Sequence, residues 1–320
     1  MSDPLVVAVV GPTAAGKSDL AVALSKHLDG EVVNADAMQV YRGMDIGTAK
    51  ISAAERAGVP HHLLDILDVT ETATVAEFQQ LARAAIDDCI SRTKAPVLAG
   101  GSALYIRAIL DDFVFPGTDP VVRARLEAEL EAHGSGVLHS RLQAIDPKAA
   151  EQILPSNGRR IVRALEVIEI TGGPYVATLP EHRYVYPGAI QLGLDVPRPE
   201  LDTRIDLRVD RMFDAGFVAE VRGLLDKGLI EGKTANRALG YSQVIALLNG
   251  EIDETQARER TAQATRRFAR RQDSWFRKDQ RITWLQYDDP DLVEKAIRVI
   301  AQGNRRGTGG VVGVESNARG

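Results

Sequence analysis

Eight residues near the start of the chain, Gly11-Pro12-Thr13-Ala14-Ala15-Gly16-Lys17-Ser18, fit the pattern G-x-x-x-x-G-K-[ST] at each fixed position. Such a stretch binds a polyphosphate. Glycines let the backbone wrap closely, so that consecutive N–H groups point at phosphate oxygens. The start of the following helix adds partial positive charge. Lys17 is placed to hold the terminal phosphate, and the Ser18 hydroxyl to bind Mg²⁺. The competing account is a chance glycine turn. Against it stand the apolar run Leu5–Val10 before the loop and a helical pattern after it. The acid that a nucleotide hydrolase carries at the end of a later strand is missing: Val97-Leu98-Ala99 runs into Gly100-Gly101-Ser102.

Asp36 is the second chemical candidate. It sits at the C-terminal end of an apolar run, the edge of an open α/β sheet at which ligands bind and the phosphate loop opens. A carboxylate there can hold Mg²⁺ through water or act as a general base. It can equally cap the following turn, and the residue types leave both readings open. The segment 37–50 carries Gln39, Tyr41, Arg42, Thr48 and Lys50 among glycines, more than a plain connector needs. The Gln39 amide offers a donor and an acceptor to a base edge. Arg204, Arg208 and Arg211 follow i, i+4, i+7 spacing on one predicted helix. They can close on the same phosphates or form a solvated basic face.

These residues need elements to position them. Strands are predicted at 5–10, 31–36, 96–99, 190–195 and 282–285. Helices are expected at 19–28, 75–92, 201–215, 217–227, 242–249, 252–278 and 291–300. Alternation of this kind implies an α/β fold, a P-loop NTPase-like core whose parallel sheet is flanked by helices. From Asp119-Pro120 onward the strands stop. Helices at 121–133, 138–145, 149–153 and 159–171 predict an all-helical insertion domain. The predicted divisions are a first core part at 1–119, the insertion at 120–189, a second core part at 190–302 and a disordered tail at 303–320.

Composition narrows the classes. The 320 residues are 44% hydrophobic and 26% charged, as in ordinary globular proteins. No stretch approaches the ~20 apolar residues of a membrane span. The N-terminus lacks a secretory pattern, so a cytoplasmic location is expected. Cys89 is the sole cysteine, which rules out an internal disulfide and a cysteine-based zinc cluster. Its apolar helical context predicts a small buried hydrophobe. His61-His62 are adjacent, so they point apart and suit a structural use better than a metal pair. Net charge is −5, yet the segment 258–281 holds nine Lys/Arg (258, 260, 266, 267, 270, 271, 277, 278, 281) against three acids (259, 273, 279). That stripe predicts one positive face for a polyanion, and a solvated face is the alternative. Arg266, Arg270 and Arg277 share one helical face, and Arg267, Arg271 and Lys278 the next. Phe268, Trp275 and Phe276 are expected to pack the helix onto the core.

Taken together, the motifs resemble the bacterial tRNA dimethylallyltransferase family, the isopentenyltransferases. The resemblance rests on the phosphate loop, on Asn34-Ala35-Asp36-Ala37-Met38-Gln39-Val40-Tyr41, and on Gly43-Met44-Asp45-Ile46-Gly47-Thr48-Ala49-Lys50. It continues through Pro60-His61-His62-Leu63-Leu64-Asp65, Gly100-Gly101-Ser102-Ala103-Leu104-Tyr105, the run Arg159 to Val167, Leu239-Gly240-Tyr241, Arg266 to Gln272 and Trp275-Phe276-Arg277. It covers nearly everything from residue 5 to about residue 300.

The resemblance implies transfer of a dimethylallyl group from dimethylallyl diphosphate to N6 of the adenosine just 3′ of the anticodon. It implies Mg²⁺ as cofactor, the tRNA anticodon stem-loop as partner, no membrane, and a monomer. The loop Gly11 to Ser18, with Arg208, would hold the donor's diphosphate. Asp36, Lys17 and Ser102 match catalytic positions, with Asp36 taking the N6 proton and Ser102 lying beside the adenine. Arg123, Arg163 and the segment Asp36, Ala37, Met38, Gln39 match tRNA-contacting positions, and Ser102, Arg159, Arg160, Arg237, Tyr241, Arg270 and Arg271 are expected to contact the tRNA as well. Three positions depart from the family pattern: Ala15 and Ala37 stand where Ser is usual, and Ser102 where Thr is usual. The last keeps the hydroxyl and loses a methyl. Two rival readings stay open, a P-loop small-molecule kinase and an RNA-binding ATPase switch without catalysis of modification.

Overall fold

The computed structural model describes residues 3–175 and 182–307. Six parallel strands form its sheet: β1 Leu5–Val10, β2 Gly30–Asn34, β3 His61–His62, β4 Ala95–Gly100, β5 Gly188–Asp195 and β6 Ile282–Gln286. The spatial order is β3-β2-β4-β1-β5-β6. Helices α1 Lys17–His27, α2 Val75–Ser91 and α3 Ala103–Leu110 connect the early strands. A helical segment follows, with α4 Pro120–Ile145, α5 Pro147–Glu151 and α6 Gly158–Thr171. Next come α7 Arg198–Asp214, α8 Phe217–Leu225, α9 Tyr241–Leu248, α10 Glu254–Phe276 and, after β6, α11 Leu292–Gly307.

Strand alternation sorts the core into two layers. Val6, Ala8 and Val10 of β1 face one side, with Phe78 and Ile86 of α2 and Ile106 and Ile109 of α3. Val7 and Val9 face the other, with Leu20 and Leu24 of α1 and Ala296 and Ile300 of α11. A central parallel strand buried on both faces must be apolar throughout, as β1 is. Local caps set the helix starts. Thr74 accepts from the Glu77 N–H ahead of α2, and Asp253 makes a capping box with Gln256 ahead of α10.

Asp112–Glu181 forms a separate unit. Leu126, Leu138, Leu142, Ile161, Val162 and Leu165 are its core. Gly134 takes a non-helical conformation inside α4, so the run 120–145 is two helices across a kink. Asp119 caps the first, accepting from the N–H groups of Val121 and Val122. Buried Glu166 binds Arg123 and, at 2.7 Å, Arg163, while Arg163 also donates to the carbonyls of Pro116 and Gly117. Burial alone would raise the Glu166 pKa. The two guanidiniums outweigh that effect and hold it below the usual carboxylate range.

Several expected boundaries shift. The insertion was expected at 120–189, but Gly188 and Ala189 pair with Leu5 and Val6 and so belong to the sheet. Residues 112–119 belong instead with the helical unit. The strand expected at 31–36 ends at Asn34, because the Asn34 side chain bonds the Asp36 backbone and turns the chain. β3 and α3 were not anticipated, being too short to show a period. The expected disordered tail at 303–320 starts inside α11, which runs to Gly307, and 308–320 lie outside the described residues.

Gly100 is a tight point of the site edge, set by backbone. A Cβ there would lie 2.5 Å from the Ala35 carbonyl oxygen. Gly100→Ala should therefore cost about 1–3 kcal/mol, read as a lower urea midpoint at unchanged m. An unchanged midpoint would contradict this packing.

Candidate diphosphate-binding and catalytic site

The phosphate loop leaves β1 at Gly11, whose φ is 136° and whose added Cβ would press on the Leu194 carbonyl at 3.3 Å. Gly16, with φ 97°, turns the chain into α1. Lys17 is the first residue of that helix and folds back, donating from Nζ to the Pro12 carbonyl at 2.7 Å. Two other cations hold the loop from outside. Arg208 Nη1 donates to Thr13 Oγ1 at 3.0 Å, and Arg204 Nε donates to the Ala14 carbonyl at 2.8 Å. Arg204 and Arg208 are therefore not a solvated face, since both are half-buried against the loop. Arg211 is exposed and lines a broad cleft of about 1060 Å³ beside the loop.

Gln272 of α10, a buried side chain, bridges two loops. Its Oε1 accepts from the Thr13 N–H at 2.8 Å, and its Nε2 donates to the Gly101 carbonyl at 2.7 Å. It was quoted only as part of a motif. A partner 259 residues away leaves no local signal.

Asp36 meets the loop across a small cavity of about 70 Å³, also lined by Lys17, Ser18, Gln39, His61 and Gly101. Of the readings of Asp36, the turn cap is seen directly. Its Oδ1 accepts from the Met38 N–H at 2.9 Å, as a turn cap does. Among the described residues Oδ2 carries no protein hydrogen bond. Asn34, also buried, clasps this turn: its side chain donates to the carbonyls of Asp36 and Leu63 and accepts from the Asp36 N–H. Ser102 opens α3 without a side-chain cap bond. Ser18 is exposed on the wall common to the small cavity and the cleft. A hydroxyl and a carboxylate on one cavity wall suit an Mg²⁺ that keeps several waters.

The segment 36–50 is anchored by its own Gln39 and Lys50 and by Glu220, for which the local pattern gave no signal. Glu220 of α8 accepts from the N–H groups of Asp45, Ile46 and Gly47, and from the Tyr241 hydroxyl at 2.7 Å. Lys50, nearly buried, binds Asp45, Asp65 and the Tyr41 carbonyl. Gln39 donates its amide N–H to the Thr48 and Ala49 carbonyls. Ala37 and Met38 pack partly against the core.

The residues expected to contact tRNA divide. Arg159, Arg160, Arg237, Arg270 and Arg271 are exposed. Arg123 and Arg163 are engaged by Glu166. Tyr241 is wholly buried and leaves the RNA-contacting set, because its ring packs on Phe217 and its hydroxyl serves Glu220. The basic stripe is also smaller than its composition. Arg266 pairs with Asp206, Arg277 with Asp195 and Asp273, Arg281 with Asp111 and Asp279, and Arg258 with Glu254, Asp210 and Asp214. Arg270 and Arg271 carry no ion pair among the described residues. Phe276 packs inside as expected, whereas Trp275 stays 47% exposed, with Lys278 over its ring.

A strand, glycine loop and helix on a parallel sheet, with cations turned onto the loop, put this protein in the P-loop α/β class. The chain belongs to the IPP transferase family, whose model matches residues 39–279. It is 62% identical over 296 residues to a tRNA dimethylallyltransferase of Nocardioides sp., covering 92% of this chain and 96% of that one. It is 64% identical over 291 residues to the tRNA dimethylallyltransferase of Streptomyces avermitilis, covering 91% and 93%. The crystal structure of the tRNA isopentenylpyrophosphate transferase of Bacillus halodurans superposes with a TM-score of 0.71 at 39% identity, over 95% of this chain and 98% of that one. A eukaryotic dimethylallyltransferase captured acting on tRNA gives 0.80 at 26% identity, over 95% and 79%.

The crowding of cations has a measurable consequence. Burial, then the Arg208 charge, bring the Lys17 amine down to about 8, with Asp36 pulling the other way. Below pH 8 the free protein already carries the charged amine that an anion needs. Above it, binding must first restore that proton. Affinity for inorganic pyrophosphate should thus fall about tenfold per pH unit above pH 8. In calorimetric titrations Lys17→Arg should lack this break, and a shared break would remove Lys17 as its source.

Proposed function

We propose that this protein transfers a dimethylallyl group from dimethylallyl diphosphate to N6 of adenosine 37, 3′ of the anticodon, in tRNA, releasing diphosphate. The observation that carries the reading is the cavity that Lys17, Ser18 and Asp36 line together. It sets anion-binding groups facing a carboxylate that keeps an oxygen free of protein hydrogen bonds. An allylic diphosphate is a good electrophile once its leaving group is stabilised, and an exocyclic amine is a poor nucleophile. Catalysis therefore rests on neutralising charge on the leaving diphosphate.

In this reading N6 attacks C1 of the donor, the C1–O bond breaks, and the bonding pair leaves on the diphosphate. Asp36 Oδ2 accepts the N6 proton as the new C–N bond forms, while Oδ1 stays fixed by Met38. Lys17, Arg208 and the loop N–H groups receive the growing negative charge. Mg²⁺ held by Ser18 would add further charge neutralisation there. Ser102 offers a hydroxyl beside the base. A base inside an RNA loop must leave its stack to reach such a cavity. The anticodon stem-loop would be gripped through phosphates by exposed arginines, Arg159, Arg160, Arg237, Arg270 and Arg271 among them. The same reading makes the enzyme a cytoplasmic monomer, and no described helix is long and apolar enough to cross a membrane.

The test is mass spectrometry of unmodified tRNA incubated with the protein, Mg²⁺ and dimethylallyl diphosphate. A prenyl mass gain on adenosine 37 is expected. Asp36→Asn should slow it about 10²–10⁴-fold with tRNA affinity nearly unchanged. No gain from folded protein, together with ATP turnover, would favour the kinase reading. Separately, Arg270→Ala with Arg271→Ala should weaken tRNA binding and lower the slope of log affinity against log salt by about 1.5. An unaltered slope would assign that face to solvent.

A further inference from the structure

Three donor atoms from three elements converge at the start of β2, away from the C-terminal edge where the catalytic cavity opens. Glu31 Oε2 of β2 lies 2.6 Å from His62 Nε2 of β3 and 3.5 Å from Cys89 Sγ of α2. Cys89 Sγ and His62 Nε2 are 3.7 Å apart. Glu31 and Cys89 are buried, whereas His62 keeps 27% of its side chain exposed, which leaves a path from solvent. Adjacent strand residues face opposite sides of a sheet. His61 therefore lines the cavity with Asp36 while His62 turns to Glu31 and Cys89.

A tetrahedral zinc ion, with sulfur at about 2.3 Å and nitrogen or oxygen at about 2.0–2.1 Å, separates its donors by roughly 3.3–3.6 Å. Both sulfur separations are already close to that range. The His62–Glu31 separation is set by a hydrogen bond and would open by about 0.7–0.8 Å as the ion replaced it. Arg92 holds the carboxylate from both oxygens: its Nη1 donates to Glu31 Oε1 at 2.7 Å and its Nη2 to Glu31 Oε2 at 2.8 Å, with Nη2 also reaching Asp88 and, at 3.8 Å, Cys89 Sγ, so an ion on Oε2 would take the place of the His62 contact and keep that of Arg92. Charge agrees as well. With the thiol ionised, Glu31, Asp88 and Cys89 against Arg92 leave an excess that one divalent cation cancels. Without an ion, burial and the neighbouring Glu31 push the Cys89 thiol up to about 11. Binding would then release the thiol proton to water.

We propose that Glu31, His62 and Cys89 form a binding site for a zinc-type divalent cation, with water as the fourth ligand. A mixed set of one thiolate, one imidazole and one carboxylate selects a borderline-soft ion over Mg²⁺ or Ca²⁺. Bound there, the ion clamps the two-residue edge strand β3 to β2 and α2, and so steadies the strand that carries His61.

The probe is Co²⁺ titrated into the full chain after chelator treatment. Cys89 is the sole cysteine, so any thiolate-to-cobalt charge-transfer absorption reports this site alone. The expected result is such absorption with visible bands of tetrahedral cobalt, saturating at a single equivalent and erased by Zn²⁺. His62→Gln should weaken binding by about 10-fold or more, and Cys89→Ser should abolish the charge-transfer band. Should Cys89→Ser fail to fold, the wild-type spectrum decides. Folded wild-type protein that shows no thiolate–cobalt absorption at millimolar Co²⁺ overturns the proposal, as does a band that Zn²⁺ does not displace.

Discussion

A loop that receives a diphosphate must hold several positive charges close together before any anion arrives. Lys17, Arg204 and Arg208 meet that constraint by donating to the loop itself, to Pro12, Ala14 and Thr13. Each bond satisfies a cation that would otherwise repel its neighbours in a partly dry site. Burial first, and then the Arg208 charge, still lower the Lys17 amine. In the proposed reaction a bound diphosphate would offset both effects, concentrating binding energy on the leaving group.

The remainder of the core follows from keeping that loop facing Asp36. β4 lies between β1 and β2, and its end must pass both loops without side chains. Gly100 and Gly101 permit this: a Cβ on Gly101 would meet the Gln272 amide at 2.4 Å. Gln272 then ties the phosphate loop to that glycine turn. Glu220, with the Tyr241 hydroxyl as a fourth donor, gathers three backbone N–H groups of the segment behind Asp36. A carboxylate serving so many donors rigidifies a loop rich in glycine. Positioning in this site is therefore done by half-buried Glu220 of α8 and buried Gln272 of α10, distant in sequence from the residues they hold.

Charge on the outer faces follows a similar economy. Four of the basic residues of the stripe, Arg258, Arg266, Arg277 and Arg281, are neutralised by neighbouring acids. Arg270 and Arg271 are left to solvent. In the helical unit, Arg123 and Arg163 close around Glu166 and the backbone at 116–119. These two arginines order the entry to α4, whatever else they touch. A net charge of −5 is thus compatible with a locally positive face, because the acids pair with some cations of the stripe and leave others unpaired.

The phosphate loop, Asp36, the parallel α/β class and most helices were legible in the sequence, because each is written in a local pattern. Fixed glycine and lysine spacing specifies the loop, and apolar periodicity specifies the elements. Short pieces such as β3 and α3 were not legible, since two or eight residues carry too little period. Nor could sequence show which arginines were free: Arg266, Arg270 and Arg277 share a helical face, and only the positions of Asp206 and Asp195 separate them. Tyr241 illustrates the same limit, its motif being plain and its burial against Phe217 not. The sequence by itself determined the glycine loop between β1 and α1 and the carboxylate that faces it across the small cavity. Only the tertiary structure decided that Gln272, Glu220 and Arg208 hold that geometry, and that Glu31, His62 and Cys89 meet. Those contacts join residues dozens to hundreds of positions apart, and the separation across a folded sheet leaves no trace in local spacing.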